Sequence, residues 1–553
     1  DVKAALAVGL PSYMVPSAFV LLPALPLNAN GKLDRKALPE PVFEAREFRA
    51  PVSPVEESVA AVFAEVLGID RVGLDDDFFE LGGNSLLATQ VASRLSFALG
   101  TKVPVRALFE TPTVEALAAV VESQDTEIRV PLEAGHRPDR IPLSPAQQRM
   151  WFLNRFDTDT AAYNVPMAIR LSGDLDVDAL QAAVADVVTR HESLRTYYPE
   201  SVDGPVQQIV PATEVTPDLR PVRVAEREII GAVTAVGATT FDVTDEVPLA
   251  AKLFQVGDSD YVLAFVVHHI SADGSSMGPL TRDLMQAYVA RSQGDVPTWE
   301  PLPVQYADYA VWQRTVLGSE DDPGSLASKQ VDYWKKALDG LPDQLDLPTD
   351  RPRPAVQSFH GARADFTVDA DLHQRLTDLG RQTNTTLFMV LHTAFAVFLA
   401  RMSGSDDIAI GTPIAGRAER ELDDLIGMFA NTLVFRTRVD GQASFAELLE
   451  QTREADLGAF ANADVPFERL VEVLNPARST ARHPLFQVGL SFQNLAQSSL
   501  ELPGLTITGI DADMAISQFD LHLIVTDRYD ADGRAAGITG FFTYATDLFD
   551  EST

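Results

Sequence analysis

Two stretches in which neither helical nor strand periodicity survives divide this chain, and they limit what it can fold into more than any other feature. The first is the Pro/Glu-rich run from Pro39-Glu40-Pro41 to Pro51. The second is a polar segment over 125–140, punctuated by Pro131, Gly135 and Pro138. A chain of 553 residues cut this way is a string of units and not one continuous core. Ahead of the first break stand Leu10-Pro-Ser-Tyr-Met-Val-Pro16 and Asn30-Gly-Lys-Leu-Asp34. About forty residues cannot easily bury a core alone, so this piece reads as part of a domain.

Between the breaks the period is helical. Ser53-Pro54-Val55-Glu56 is a capping box with proline at the first helical position. Val55, Val59, Val62, Phe63, Val66 and Leu67 then hold one face, and Gly68 closes the helix. A second helix is expected near Ser85, with Leu87, Val91 and Leu95 aligned, and a third after Thr111-Pro112, with Val114, Leu117, Val120 and Val121 inward. The expectation is a small helical bundle over 46–124.

The 413 residues after 140 mix both periods. Asn164–Leu171 predicts a strand, Asp176–Arg190 an amphipathic helix, and Thr385–Arg401 a strongly apolar helix. Tyr261–Ile270 is apolar without alternation, the pattern of a strand buried on both faces. Two α/β lobes follow, about 141–310 and about 311–553.

Composition removes whole classes of chemistry. With 44 Lys plus Arg against 79 Asp plus Glu, the formal charge is −35, and a body so acidic repels phosphate backbones and anionic membranes. No cysteine is present, which excludes disulfide scaffolds, thiolate nucleophiles and Cys-ligated zinc, and fits a reducing compartment such as the cytoplasm. No apolar run reaches the ~18 residues of a membrane span. The opening Asp-Val-Lys-Ala has no signal-peptide pattern and no initiator Met, so the chain is expected to be part of a longer one.

Two constellations could carry chemistry. In Leu81-Gly-Gly-Asn-Ser85-Leu-Leu, glycines free the backbone just before a helix N-terminus and a hydroxyl sits at the cap, where a phosphodiester would be favoured. The plain structural reading makes Ser85 an N-cap only, and Asp75-Asp76-Asp77 a solvated loop. In His268-His269-Ile-Ser-Ala-Asp273-Gly274, adjacent histidines follow the buried strand. Side chains that alternate across a strand let one ring meet a channel while the other packs inside, and a ring near neutral pKa can accept an amine's proton or orient the amine. Asp273 could pair with an arginine and hold the loop. The plain reading is two satisfied core histidines. A metal site is disfavoured, since the rings diverge and no HExxH pattern is present. A Ser-His-Asp hydrolase is weakly supported without a recognised nucleophile elbow, and no Walker loop or dinucleotide fingerprint is found.

On these residues the sequence resembles a piece of a nonribosomal peptide synthetase, with three parts in assembly-line order. Residues 1–45 resemble the end of an adenylation domain. Lys32 matches the lysine that contacts carboxylate and phosphate, and it is expected to be idle without the nucleotide-binding core. Residues 46–124 resemble a peptidyl carrier protein, an all-α four-helix bundle in which Ser85 would carry covalent 4′-phosphopantetheine. After the linker 125–140, residues 141–553 resemble a condensation domain. Its blocks recur in order: Ser144-Pro-Ala-Gln-Gln-Arg-Met-Trp-Phe-Leu153, Arg190-His-Glu-Ser-Leu-Arg-Thr196, His268 to Gly274, Tyr306-Ala-Asp-Tyr-Ala-Val-Trp312, Ile426-Gly-Met-Phe-Ala-Asn-Thr432, Asn462-Ala-Asp-Val-Pro-Phe-Glu468 and Arg478-Ser-Thr-Ala-Arg-His-Pro-Leu485.

The resemblance implies a multi-domain chain whose larger part is an α/β pair of chloramphenicol-acetyltransferase-like lobes, with the active site between them. It implies His269 as the catalytic histidine, His268 as packing or support, Asp273 as an ion-paired brace with Arg195 or Arg417 as its partner, and Gly274 as backbone near the thioester. Trp312, Asn431 and Thr432 are expected to build lobe contacts. The implied reaction is amide formation from a carrier-bound acyl or peptidyl thioester and the amine of an aminoacyl group on another carrier. The implied partners are a phosphopantetheinyl transferase, a downstream aminoacyl carrier, an upstream adenylation core and neighbouring synthetase modules, with no nucleic acid, no membrane and no metal. Ser275-Ser-Met-Gly-Pro-Leu280 after the histidine block fits condensation better than epimerisation, and the double His argues against heterocyclisation. An L-residue or glycine is therefore expected at the donor end. The family continues with a final helix beyond Tyr544–Thr553, so a truncated C-terminus is expected. The alternatives are a catalytically inactive recruitment module and an ester-forming or cyclising variant.

Overall fold

The computed structural model describes residues 48–123, 130–477, 479–493, 501–502, 504–510, 516–530 and 534–553. The readings made on 1–45, Lys32 among them, and on Arg478 lie outside the described residues.

Four helices form the first unit: α1 (Pro54–Leu67), α2 (Ser85–Leu99), α3 (Val105–Glu110) and α4 (Val114–Glu122). The expected capping box is present: the Ser53 hydroxyl accepts from the Glu56 N–H, and the Glu56 carboxylate accepts from the Ser53 N–H. Gly68 ends α1 at φ 66°, a left-handed position where glycine costs nothing. Val59, Phe63, Val91, Leu95, Leu108 and Leu117 are buried and hold the bundle together. The acidic triplet is more than a solvated loop. Asp77 Oδ1 accepts from the N–H groups of Phe79 and Glu80, Asp76 accepts from the Gly73 N–H, and Asp75 pairs with Arg49.

The next lobe is built on β1 (Asn164–Gly173), β2 (Val222–Arg223), β3 (Leu249–Gly257) and β4 (Asp260–His268), with helices α5 (Pro145–Phe156), α6 (Val177–Arg190), α7 (Ile229–Gly237) and α8 (Met277–Ser292). Strand β4 explains its own lack of alternation. Leu263, Phe265 and Val267 pack with Val184, Val187 and Leu284 on one face, while Val262, Ala264 and Val266 pack with Met150, Val233 and Val236 on the other.

After α9 (Tyr306–Leu317) the second lobe follows with β5 (Gly361–Val368), α10 (Ala370–Gln382), α11 (Leu387–Ser403), β6 (Asp407–Ile414), β7 (Asn431–Arg438), α12 (Phe445–Phe460), α13 (Phe467–Leu474) and β8 (Val488–Phe492). The chain then leaves the lobe. A hairpin of β9 (Glu501–Leu502) and β10 (Leu505–Gly509) pairs antiparallel with β1, which makes the first lobe's sheet six-stranded in the order β9-β10-β1-β4-β3-β2. It returns as β11 (Leu521–Tyr529) and β12 (Ala535–Ala545), completing a second sheet in the order β7-β6-β8-β11-β12-β5. The lobes are therefore laced by a strand exchange, and Leu505 is buried in the first lobe's core.

The bundle packs on the second lobe through α2 and α3. The Ser85 hydroxyl meets the Thr386 hydroxyl at 2.8 Å, and Asn384 Nδ2 donates to the Phe109 carbonyl at 2.8 Å. Arg94 reaches Asp423 and Arg106 reaches Glu454, both at 2.5 Å. Among the described residues no single helix is long and apolar enough to cross a membrane.

Candidate functional site

The loop that presents Ser85 is assembled almost entirely from its own neighbours. Gly82 sits at φ 102°, and a Cβ on Gly83 would lie 2.3 Å from the Phe78 ring. Glycine at both positions lets the chain fold tightly over Phe78 before α2 begins. The expected cap is corrected here by one residue. Asn84 is the N-cap, its side-chain oxygen accepting from the N–H groups of Leu86 and Leu87 at 3.0 Å, and Ser85 is the first residue inside the helix. The amide oxygen reaches further than a serine hydroxyl and takes over the orphan donors of the first turn. Ser85 is thus released from capping, and its hydroxyl makes its hydrogen bond outside the bundle, to Thr386. Thr386 is itself the N-cap of α11. Nothing in the sequence around Thr386 marks it except that cap position.

The histidine loop begins at the end of β4. His268 is the last strand residue; its backbone N–H donates to the Pro248 carbonyl, and its Nδ1 accepts from the Ile270 N–H at 3.1 Å. The ring is buried and its Nε2 has no partner among the described residues. Burial, with a smaller push from His269, lowers its pKa to about 3, so it is neutral packing. His269 is the first residue of the following turn. Its N–H donates to the Tyr163 carbonyl at 2.7 Å, and its half-buried ring turns Nδ1 to the Met428 sulfur at 3.1 Å. Burial also holds His269 below the ordinary imidazole range, with Asp273 pulling upward and Arg149 adding to the depression.

Asp273 is fully buried and fixes the loop to the other lobe. Its Oδ2 accepts from the N–H groups of Phe429 (2.9 Å) and Ala430 (3.1 Å), and its Oδ1 accepts from the Ser276 N–H (2.9 Å) and from Arg417 (3.3 Å). The arginine left open between Arg195 and Arg417 is Arg417. Arg195 instead donates to the Val210 carbonyl and lies 3.8 Å from Glu192. Arg417 also donates to Ser276 Oγ (2.9 Å) and to the carbonyls of Leu422 and Leu425, and its guanidinium lies 4.3 Å from the centre of the Phe429 ring. An Asp with this many donors braces the loop.

Gly274 opens the short helical turn Gly274–Ser276, is exposed, and has nothing within 4 Å of where a Cβ would stand. Its fold does not require glycine. The run Gly274-Ser275-Ser276-Met277-Gly278 does match the spacing of a hydrolase elbow, against the reading that none is present. Ser276, however, is fully buried, with its Oγ held by Asp273, Arg417 and the Gly427 backbone, which leaves it unable to attack. Trp312 donates to the Val130 carbonyl, and Asn431 donates to the carbonyls of Ala463 and Val465 and accepts from the Phe467 N–H. Sequence reasoning passed over Met428 and Tyr163, which touch His269 from outside the histidine motif. It also passed over Arg149, which bridges the lobes through Glu468 at 2.6 Å.

Comparison with known proteins adds the following. A family model described as condensation domain matches residues 138–553, and one described as phosphopantetheine attachment site matches residues 57–121. The chain is 48% identical over 545 residues to a dimodular nonribosomal peptide synthase of Bacillus subtilis, covering 98% of this chain and 23% of that one. It is 40% identical over 554 residues to the isonitrile lipopeptide synthase of Mycobacterium tuberculosis, covering 98% of this chain and 22% of that one. The chain thus spans less than a quarter of the length of these curated relatives. Among solved structures, the X-domain from teicoplanin biosynthesis, in complex with OxyB, superposes with a TM-score of 0.72 at 35% identity, over 77% of this chain and 92% of that one. The first condensation domain of the calcium-dependent antibiotic synthetase, with a substrate analogue, shares the fold at a TM-score of 0.59 and 19% identity, over 75% of this chain and 93% of that one.

Proposed function

The chain belongs to the condensation-domain family of nonribosomal peptide synthetases and carries a phosphopantetheine attachment domain ahead of that domain, and from that premise we propose that it forms an amide bond between a carrier-bound acyl or peptidyl thioester and the amine of an aminoacyl group on another carrier. We take residues 46–124 as the carrier and 141–553 as the condensation domain, working in the cytoplasm beside an adenylation core and neighbouring modules.

Ser85 is the attachment residue in this reading. Its hydroxyl is relieved of capping by Asn84, and the glycine turn brings it to a helix N-terminus, a setting that suits a phosphodiester. A 4′-phosphopantetheine group on Ser85 supplies a thiol on a long arm, where an acyl group rides as a thioester. A phosphopantetheinyl transferase is the partner that installs it, and a downstream aminoacyl carrier is the partner that presents the amine.

The observation that carries the reaction is the placement of His269. It is a neutral, half-buried ring on a loop braced by Asp273, with Nδ1 turned to a thioether. A hydrogen on Nδ1 facing Met428 leaves Nε2 as the basic edge. That nitrogen accepts the hydrogen bond of the incoming amine and so aims the amine's lone pair at the donor carbonyl carbon. The carbon–nitrogen bond forms, the carbon–sulfur bond breaks, and the proton shed by the amine ends on the departing thiol. Thioester chemistry drives the step without a nucleotide. His268 is packing in this reading, its Nδ1 holding the Ile270 N–H of the same loop, and Gly274 leaves backbone room for the donor.

The test is intact mass: Ser85 is loaded with an acyl-pantetheine, an aminoacyl carrier is added, and the acyl mass is followed. It should appear on the second carrier and fail to do so in His269→Ala, with loading of Ser85 unchanged. Transfer at an unaltered rate in His269→Ala would end this assignment. A second reading is favoured by the likeness to the X-domain, which was solved bound to another protein. In that reading the lobes recruit a partner and form no bond, and loading without transfer across several donor–acceptor pairs would select it. Transfer to alcohol but not amine acceptors would select the ester-forming variant.

A further inference from the structure

The segment between β6 and β7 has two faces with different partners. On one face it touches the carrier: Asp423 takes an ion pair from Arg94 at 2.5 Å, Glu419 accepts from the Ser93 hydroxyl at 3.3 Å, and Arg420 reaches Glu65 at 3.1 Å. Arg94 also binds Glu65 at 3.1 Å, so charges of alternating sign run Arg420–Glu65–Arg94–Asp423 across the junction. On its other face the same segment holds the histidine loop. Arg417 pairs with Asp273, the Gly427 backbone meets Ser276, Phe429 and Ala430 donate to Asp273, and Met428 faces His269. Asp423 and Asp424 divide the two duties between neighbours: the first binds the carrier, and the second binds Arg282 of α8 in the first lobe at 2.7 Å. Arg417 ties the faces together by donating to the Leu422 and Leu425 carbonyls on either side of those aspartates.

We infer that residues 417–430 form a strap through which the seated carrier holds the histidine loop in place, with the Arg94–Asp423 pair as its positioning contact. The inference rests on the proposed role of His269 for its functional meaning, but the coupling is a property of the fold alone. Arg94 is nearly buried while Asp423 keeps 38% of its side-chain surface exposed, so solvent screens the pair only in part. The strap has short, crossed attachments on both faces and little freedom to yield on one without moving on the other. A carrier that has left its seat removes the Arg94, Ser93 and Glu65 contacts at once. The donors to Asp273 then lose their support, and His269 loses the fixed contact with Met428.

Hydrogen exchange on the full chain, read by mass spectrometry, tests this without turnover. Arg94 belongs to the carrier, touches neither Asp273 nor residues 427–430, and meets the second lobe at Asp423 of the strap. Amides in peptides covering 273–277 and 427–430 should exchange about fivefold faster in Arg94→Ala and in Asp423→Ala, no faster in the double variant than in either single one, and nearly normally in Arg94→Lys. Peptides covering Val59–Phe63 should be unchanged, which checks that the bundle is folded. Faster exchange at 85–94 and 419–424 with 273–277 and 427–430 unaltered would overturn the coupling. Unaltered exchange in all four would overturn the pair as the seat. In the transfer assay, Arg94→Ala with donor loaded on Ser85 and saturating acceptor should lower the single-turnover rate about fivefold. A chain with no transfer at all sinks the proposed reaction and leaves the exchange result standing.

Discussion

The turn that presents Ser85 and the turn that presents His269 hold the two side chains of the proposed reaction at the edge of a packed unit, and they do so by opposite means. Ser85 is positioned by residues 77–87: Asp77 caps the turn, Gly82 and Gly83 fold it over Phe78, and Asn84 caps the helix. His269 is positioned by the whole molecule. Its N–H is held by Tyr163 just ahead of β1, its ring by Met428, and its loop by Asp273, whose donors come from residue 276 and from 417, 429 and 430 in the other lobe. A locally built site is robust and portable. A site built across two lobes can sense how the lobes, and whatever sits on them, are arranged.

The sharpest way to break this contrast is at each reactive or bracing group. Ser85→Ala should abolish pantetheinylation in an intact-mass assay while the bundle keeps its fold, and residual loading would point to another hydroxyl. Arg417→Ala leaves the buried Asp273 short of its charged partner. It should cost about 3 kcal/mol in the larger unit, seen by calorimetry as a lowered transition for that unit alone, with transfer strongly reduced.

Acid should act on the second region more than the first. Folded His268 takes its proton only near pH 3, and His483 near 3 and His522 near 4 behave alike, all through burial. The unfolded chain takes those protons near the ordinary value of about 6.5. Between these limits the unfolded state holds more protons, so stability is full above about pH 6.5 and falls as pH falls toward 3. His268→Gln should shrink the drop in Tm between pH 7.5 and pH 5.5, measured by thermal unfolding, and an equal drop would remove His268 from the account. Burial holds the His269 pKa below that of an ordinary imidazole, so the acid limb of the transfer rate, measured as a pH profile, should lie below the one a free imidazole would give. Asn84→Ala tests the local region. It should cost about 1 kcal/mol, confined to the bundle's unfolding transition.

The same contrast explains what the sequence made legible. Helix α1 was readable down to its caps because Ser53, Pro54, Glu56 and Gly68 act within a turn of themselves. Strand β4 was readable because burial on both faces writes an unbroken apolar run. Ser85 was placed one residue off its true role, since Asn84 and Ser85 are both capping residues and only geometry decides which carbonyl or hydroxyl reaches the free N–H groups. The partner of Asp273 could not be chosen, because the 144 residues separating it from Arg417 carry no periodic signal of contact. The exchanged hairpin β9–β10 was invisible for the same reason: Leu505-Thr-Ile-Thr-Gly509 is an ordinary alternating strand, and nothing in it names the sheet it joins.

Gly274 offers the finest division between folding and function, and the smallest effect. It stands at the head of the braced turn, exposed, with no atom within 4 Å of an added Cβ and no left-handed backbone to relieve. Gly274→Ala should therefore leave thermal unfolding within about 0.5 kcal/mol of the parent chain. The methyl would project from the same loop as His269, where the proposed reaction needs the donor carbonyl to come close. Transfer should slow by about fivefold with Ser85 loading untouched, because a displacement well under 1 Å is felt when two reactants must meet in line. A chain that folds, loads and transfers like the parent would show that this glycine faces solvent and not substrate. The donor would then approach His269 from the Met428 side of the loop.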